Sequence, residues 1–553
     1  MSPARAGDSA SGAASPERKP AMRRVVESDI CIIGSGITAA MVAEKVAGER
    51  NATIVVVEAG DETVPLPERF ANRQRFLDYG ESPWGDDHID RQSAEGIQSR
   101  SMQVGGLAMH WGGVTPRFSP EDFRVKSLYG VGNDWPITYD ELDPFYQEAE
   151  VRMGVAGEQG PPALDPRGKP YPMPPLPLSW NLGLLKEWGE KTGIPFTSQP
   201  SAKNSVPYAG RVVCCRSDTC TPVCPVGAKY SPDFTWNALR KDNRVELRTR
   251  TLVRRLVLEP RGTRIAYAVA SHRDRPNESV EFHARVFVVA GGYAWSPHLL
   301  LLSAEPRFPN GLANRSGTVG RYLAGHRNVS AFVRLPIRLF PGMNEQHSLV
   351  SKRFMRPGPL DRYVRHDLRI WESASGRAPR LRDDTGNIML GDDILRDWRS
   401  RTATGTARVR AYYDVIPDRE SSLTLDASAT NAWGDPMPKL QFRDSPESAA
   451  LRQHTEDGIR ALFARMAKAG DGELMSPPRV DPFQDHPAGG CRMGDDASTS
   501  VTDKWGRTHD HENLFVVGAP TCVSAGCANG TLTFTALSLM SAAKIGEAFP
   551  KRT

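Results

Sequence analysis

Residues 29–58 read DICIIGSGITAAMVAEKVAGERNATIVVVE, and this stretch decides the fold. An apolar run, DICII (residues 29–33), stops at Gly34-Ser35-Gly36. ITAAMVAEKVA follows with apolar residues at helical spacing, and TIVVV (residues 53–57) gives a second apolar run ending at Glu58. The order is strand, turn, helix, strand, with G-x-G-x-x-A at the turn and an acid closing the second strand. Gly34 makes the tight turn and Gly36 lets the backbone approach a pyrophosphate. Ala39 stands where a third glycine often sits and permits close helix–strand packing. The helix N-terminus would face the phosphates, and Glu58 is placed to bind ribose hydroxyls. The competing reading is an ordinary tight turn between strand and helix. The two flanking strands and the acid favour dinucleotide binding.

Working outward, further strands are expected at residues 245–258 and 265–270. VFVVA (residues 286–290) ends at Gly291-Gly292, and NLFVV (residues 513–517) ends at Gly518. Two apolar strands ending in glycine, so far apart in sequence, can both return to the first sheet, which makes the nucleotide domain discontinuous. Residues 330–480 are richer in Arg, Asp and alternating polar strands and read as a second, substrate-covering domain.

With 553 residues the chain can bury a large core, and 70 basic against 65 acidic residues leave a net charge of only +5. That balance does not point to nucleic acid or an anionic membrane. No stretch reaches the roughly 18 consecutive apolar residues of a membrane span. Residues 1–24, rich in Ser, Ala, Arg, Pro and Gly, are expected to be disordered. Arg23-Arg24 is a twin arginine, but no separate apolar region or small-residue cleavage site follows, so a signal peptide is not expected.

Of eight cysteines, four lie between residues 214 and 224: Cys214, Cys215, Cys220 and Cys224. A tight cluster in a large chain points to metal or redox chemistry. The spacing from Cys214 is C-x5-C-x3-C, and the Cys-Pro ending is similar to bacterial ferredoxin ligand runs. Adjacent cysteines rarely both ligate one ion, so three ligands and a spare are expected. Cys215 is the candidate spare, with a swap for Cys214 open. Zinc, a disulfide or inert thiols are the alternatives. Cys31, Cys491, Cys522 and Cys527 are dispersed and read as small buried residues.

Several further segments carry a resemblance. VGGLAMHWGG (residues 104–113), NDWPITYDELDPFY (133–146), VFVVAGGYAWSPHLLLLS (286–303), VGRYLAGH (319–326), HPAGGCRMG (486–494) and RTHDHENLFVVGAPTCVSAGCANGTLTFTALSLMSAA (507–543) join the opening unit. In this order they resemble the glucose–methanol–choline (GMC) flavin oxidoreductases, over about residues 28–545. The resemblance implies an α/β fold (α+β overall), with a Rossmann-like FAD-binding domain and a substrate-binding domain on an antiparallel sheet. The expected divisions are a disordered segment 1–26, an FAD-binding domain 27–330, a substrate-binding domain 331–480 and a C-terminal return 481–553 carrying catalytic residues. Residues Gly34, Gly36, Ala39, Glu58, Gly105, Gly106, His110, Gly518, Ala519 and Thr531 are the expected cofactor contacts. A covalent flavin link at His110 is left open, against a histidine simply packed on Trp111.

Oxidation of an alcohol by flavin moves a hydride from carbon and a proton from oxygen, and the proton needs a base with pKa near neutrality. Histidine fits. His486 matches the family's catalytic histidine, the base that takes the hydroxyl proton while the substrate carbon gives its hydride to flavin N5, and Asn529 matches a second active-site position that could hold the hydroxyl oxygen. Asn529-Gly530 is also a good turn pair, since both tolerate positive φ. The family commonly has Pro where Gly530 stands.

The cysteine cluster is similar to that of a narrower branch, the large subunits of bacterial sugar and polyol dehydrogenases for fructose, gluconate, sorbitol and glucose. That branch implies an iron–sulfur cluster of the 3Fe-4S type on Cys214, Cys220 and Cys224. It also implies a small chaperone-like subunit and a cytochrome c or quinone as electron acceptor. The location implied is cytoplasmic, or periplasmic by co-export with the partner. An oxygen-using oxidase of a pyranoside or aminosugar is the alternative, and a flavoprotein with only an assembly role is a third. A nicotinamide dehydrogenase would leave the C-terminal segment without a purpose. No motif in residues 330–480 names the substrate.

Overall fold

Ile30, Cys31, Ile32 and Ile33 are all buried, as a parallel strand covered on both faces requires. The computed structural model describes residues 23–84, 101–340, 347–356, 365–373, 379–383 and 385–552. In chain order the strands are β1 (Arg23–Ile33), β2 (Ile54–Val57), β3 (Thr197–Ser198), β4 (Val245–Arg248), β5 (Thr251–Leu258), β6 (Ile265–His272) and β7 (Arg275–Val289). They continue with β8 (Ala324–Leu335), β9 (Leu349–Ser351), β10 (Leu368–Glu372), β11 (Gly405–Asp414), β12 (Ser422–Thr430) and β13 (Pro436–Gln441). Among the described residues β14 (Glu473–Leu474), β15 (Arg479–Ala488) and β16 (Leu514–Val516) complete the set.

The first sheet has the order β4-β2-β1-β7-β6-β5, with β16 added beside β7. Helix α1 (Ile37–Glu49) lies between β1 and β2 in sequence, and its buried Ala39, Ala40, Ala43 and Ala47 let it come close to the sheet. The pairs β1·β2, β1·β7, β2·β4 and β7·β16 are parallel. Ile33 is in register with Val57 and with Val289, and Val289 with Val516. Four strands therefore finish at one edge, followed there by Gly34, Glu58, Ala290 and Val517-Gly518. The crevice beyond the carboxyl ends of such strands is where open α/β sheets bind ligands.

Two details differ from the sequence reading. Arg23–Val26, expected to be disordered, pair with Ser279–Phe282 as the start of β1; the partner lies some 250 positions away, so no local pattern reveals it. Residues 1–22 lie outside the described residues. The run 245–258 is two strands, because Arg250 takes φ +56 between them and its N–H donates to the carbonyl of Gly60 (2.8 Å).

The second sheet, β14-β8-β11-β10-β9-β3 with β15 beside β8, is antiparallel throughout. Val329, Ala331, Val333 and Leu335 of β8 and Ala407, Val409, Ala411 and Tyr413 of β11 join one core with Ile459, Leu462 and Phe463. Alternation along a strand then places His326 and Asn328 of β8 and Arg408, Arg410 and Tyr412 of β11 on the opposite face. The fold is thus an α/β Rossmann-like unit joined to an antiparallel sheet. The expected divisions at 330/331 and 480/481 fall inside β8 and β15. Among the described residues no helix is long and apolar enough to cross a membrane.

Candidate active site

The turn after β1 is built around Ser35. Its N–H and Oγ–H both donate to Glu58 Oε2 (3.0 and 2.6 Å), and Glu58 Oε1 accepts from the Gly60 N–H (2.8 Å). Burial pushes the Glu58 carboxyl up, and these hydrogen bonds act against the rise. A carboxylate has about four acceptor sites, so roughly one remains for a ribose hydroxyl. The Ser35 carbonyl accepts from the Trp236 indole (2.8 Å) and its Oγ from the Gly105 N–H (3.3 Å). Gly36 and Gly105 form a parallel bridge. A Cβ on Gly106 would stand 3.5 Å from the Gly36 Cα. Gly518 closes the group, since a Cβ there would lie 2.5 Å from Thr38 Cγ2 in the first turn of α1.

These residues fit a dinucleotide. A Cβ built on Gly36 would meet nothing within 4 Å, so the backbone there borders open space. The N-terminus of α1 has no side-chain cap and no acid in its first turn. Its backbone donors are therefore available to an anion.

The second centre lies where β15 leaves β8. Asp485 pairs with His326 and Ala488 with Ala324, so one extra residue is inserted between them. Such a bulge re-aims a side chain. His486 sits in it with φ +51, an uncommon conformation for a residue other than glycine. The loop that follows is tied to the GAPT segment: the N–H groups of Gly489, Cys491 and Met493 donate to the carbonyls of Ala519, Pro520 and Thr521, each at 2.9 Å.

His486 stands in a line of hydrogen bonds. His326 Nε2 lies 2.9 and 2.8 Å from the carbonyls of Ala525 and Gly526, so it is the donor. His326 Nδ1 is then an acceptor, and His486 Nδ1, 3.1 Å away, donates to it. The lone pair on His486 Nε2 accepts from Asn529 Nδ2 (2.6 Å). The Asn529 orientation is fixed from its other side, where Oδ1 accepts from Arg369 Nη2. Arg369 Nε in turn donates to Asp367 Oδ2 (2.6 Å). The geometry thus presents a neutral imidazole with its basic nitrogen beside an amide N–H.

The remaining expected residues take different places. Gly530 has φ −76, so the Asn529-Gly530 pair does not use a positive φ. A Cβ at Gly530 would lie 2.3 Å from the Phe534 ring, which is why the position is small. Thr531 begins the C-terminal helix Thr531–Gly546, its carbonyl accepting from Thr535 Oγ1 (2.8 Å). His110 packs on Trp84 at 5.6 Å between centroids, with its Nε2 3.3 Å from Gln103 Nε2.

The cysteines do not fit the expected cluster. Among the described residues no group of three or more His, Cys, Asp or Glu is placed to hold a metal ion. Cys220 and Cys224 are buried, Cys214 is half-buried and Cys215 is exposed. Other bonds shape the loop: the Cys214 N–H donates to Asn204 O (2.9 Å), and Lys229 Nζ donates to the carbonyls of Cys220 (2.7 Å), Trp111 (2.6 Å) and Met109 (3.2 Å). Lys229 thereby fastens the cysteine loop to the His110 segment. Among the described residues Cys214, Cys220 and Cys224 thus find no support as a ligand set for iron–sulfur or zinc.

Sequence reasoning missed His326, Arg369 and Tyr412. His326 closes VGRYLAGH, and Arg408, Arg410 and Tyr412 alternate with buried residues in TARVRAYYD. That period of two is the signal that one polar face of a strand looks into a site.

Family models described as GMC oxidoreductase match residues 180–328 and 417–538. The chain is 30% identical to the fructose dehydrogenase large subunit of Gluconobacter japonicus, over 94% of this chain and 97% of that protein. It is 28% identical to the 6'''-hydroxyparomomycin C oxidase of Streptomyces lividus, over 94% and 91%. Among solved structures it shares its fold with pyridoxine 4-oxidase from Mesorbium loti, at a TM-score of 0.62 and 19% identity, over 93% and 98% of the two chains.

Proposed function

This chain belongs to the GMC oxidoreductase family, and on that premise we propose that it oxidises a CH–OH group of a sugar or polyol, with FAD held at the Gly34–Gly36 turn and His486 as the base. The observation that carries the reading is the line of hydrogen bonds from His326 through His486 to Asn529. FAD, when bound, supplies the acceptor for the hydride that leaves carbon.

The residues of the chain do the rest. When the substrate hydroxyl replaces the Asn529 N–H at His486 Nε2, that lone pair takes the hydroxyl proton, while His326 holds the ring in that tautomer from its Nδ1 side. Asn529 turns an amide N–H toward the oxygen as negative charge develops there. Arg369, bonded to Asn529 Oδ1, stops the amide from flipping. Replacement His486→Ala is expected to slow anaerobic flavin reduction by about 10²–10⁴-fold, the usual contribution of a general base. Stopped-flow reduction at a near-wild-type rate would remove His486 from the role.

The acceptor in this reading is an external carrier, a cytochrome or quinone, reached with the help of a small partner subunit. Support comes from similarity to a protein named as a large subunit, over 97% of its length. A second reading, direct use of dioxygen, is supported by the similarity to an oxidase. Substrate-reduced enzyme mixed with air separates the two: slow reoxidation without stoichiometric hydrogen peroxide supports the carrier, and fast reoxidation with peroxide supports the oxidase. No electron-transfer step is routed through the cysteine loop.

A further inference from the structure

Two guanidinium groups share a sheet face with the His486–Asn529 pair and, among the described residues, have no acid of their own. On β11 the residues Ala407, Val409, Ala411 and Tyr413 face the core, so Arg408, Arg410 and Tyr412 face the other side. Across the ladder Arg369 stands opposite Arg410 and Trp371 opposite Arg408. Like charges directly opposite one another destabilise an antiparallel pair unless something offsets them. Arg369 is offset by Asp367 (2.6 Å). Arg410 is not: its guanidinium lies over the rings of Trp371 (4.6 Å) and Tyr412 (4.2 Å). Those contacts hold it in place but accept none of its N–H groups in the ring plane. The Nε atoms of Arg408 and Arg410 are both buried without a hydrogen-bond partner, and among the described residues neither has a carboxylate in an ion pair.

Arg410 lies one aromatic ring from the reaction centre, and Arg408 is the next residue on the same face of β11. Tyr412 is 5.5 Å from the His486 ring and 5.6 Å from the His326 ring, centroid to centroid. The Arg369 guanidinium, bonded to Asn529, is 5.0 Å from the same Tyr412 ring. Burial, with Arg369 and Arg408 adding to it, holds Arg410 below the ordinary guanidinium range, while Tyr412 and Asp367 act the other way. Buried cationic donors without acceptors are costly. An arriving oxyanion would remove that cost, and guanidinium forks suit carboxylate or phosphate.

We propose that Arg408 and Arg410 bind an anionic group of the substrate, so that the alcohol oxidised at His486 belongs to an acidic sugar derivative, a sugar acid or a sugar phosphate. This rests on the reading of His486 and Asn529 as the reaction centre. A neutral polyol would offer the guanidinium donors only uncharged hydroxyl acceptors, weaker than an oxyanion, and an aminosugar would bring a like charge to them, which complementary sites avoid.

The test uses the full-length, FAD-loaded protein and anaerobic flavin reduction by matched substrates: gluconate against sorbitol, glucuronate against glucose, glucose 6-phosphate against glucose, and glucosamine. The expected result is a second-order reduction rate at least about 10-fold higher for an anionic member than for its neutral partner, from charge-assisted hydrogen bonds. Preference for gluconate and glucuronate identifies a carboxylate, and preference for glucose 6-phosphate identifies a phosphate. Arg410→Met and Arg408→Met are each expected to cut the anionic-to-neutral ratio by about 10–100-fold. If either variant fails to fold, the wild-type ratio decides alone. Reduction by neutral sugars or glucosamine as fast as by the acids, or a ratio unchanged in the two variants, overturns the inference and leaves the alcohol-oxidising reading standing. No reduction by any alcohol in the set overturns both.

Discussion

Gly34 and Gly36 sit two positions apart and exclude a side chain for different reasons. Gly34 has φ +99, and a Cβ on it would stand 2.8 Å from the Ala290 carbonyl oxygen. Any substitution there strains the protein itself. Gly36 has φ −62 and ψ −178, which every residue can adopt, and its Cβ would meet nothing within 4 Å. A side chain at Gly36 therefore costs the fold little and fills only the space offered to a ligand. Gly36→Val is expected to purify folded, with melting within a few degrees of the parent apoprotein, but colourless. A yellow variant with full flavin content would show that the Gly34–Gly36 turn does not hold the cofactor. Such local features are the legible ones, because strand, turn, helix and acid all fall within thirty residues. The sequence also points to His486 and Asn529, but not to how they meet. Their geometry needs a bulge on β15, a partner on β8 and an arginine on β10, none of which is near in sequence. The cysteine loop shows the same limit: the backbone groups of Cys214 and Cys220 bond to the Asn204 carbonyl and to Lys229 Nζ, partners that the cysteine spacing does not encode.

At the scale of elements, β10 carries an acid-sensitive group at its start. His366, two residues before it, is buried, stacks on Phe354 at 4.8 Å and donates from Nδ1 to the Asp367 carbonyl (2.6 Å). Burial pushes its pKa down to about 4, against an unfolded value of about 6.5. Between those values the unfolded chain binds a proton that the folded chain refuses. The stability held by the neutral imidazole is therefore fully present above about pH 6.5 and is lost as the pH falls through about 4, to a total of about 3 kcal/mol. His366→Asn is expected to make the loss of unfolding free energy between pH 7 and 4 smaller by that amount, measured by urea titration. Equal slopes for variant and parent would show that His366 does not set acid sensitivity. Because Asp367 orients Arg369 and Arg369 orients Asn529, the same acid step is expected to disturb the site. Strand boundaries follow a similar logic. The alternation in TARVRAYYD is readable as a strand, whereas the extension of β1 back to Arg23 depends on Ser279–Phe282 and leaves no local mark.

At the scale of the whole molecule, two cores depend on the last forty residues of the chain. β16 adds to β7 in the first sheet, and the helix Thr531–Gly546 then runs between two cores. Leu532, Leu537, Leu539 and Met540 join the cluster that holds Phe118, Trp135 and Tyr146. Ile545 joins the cluster of α1 and β2. Those five side chains are each at most 5% exposed. At about 1.5–3 kcal/mol per buried large apolar side chain, they contribute roughly 8–15 kcal/mol. A whole domain is stable by only about 5–15 kcal/mol, so the helix is worth as much as the net stability of the fold it closes. The Tyr146 hydroxyl would also lose Thr533, its partner at 2.8 Å. A chain ending at Gly530 keeps His486, Asn529, the Gly34–Gly36 turn and β16, and so retains every side chain proposed for the chemistry. It is nevertheless expected to lose cooperative melting and flavin together, because the loss lies in packing that both cores share. Circular dichroism melting and flavin content of the shortened chain, beside full-length protein prepared in parallel, check this. A shortened chain that melts cooperatively and stays yellow would show that the two cores close without the helix.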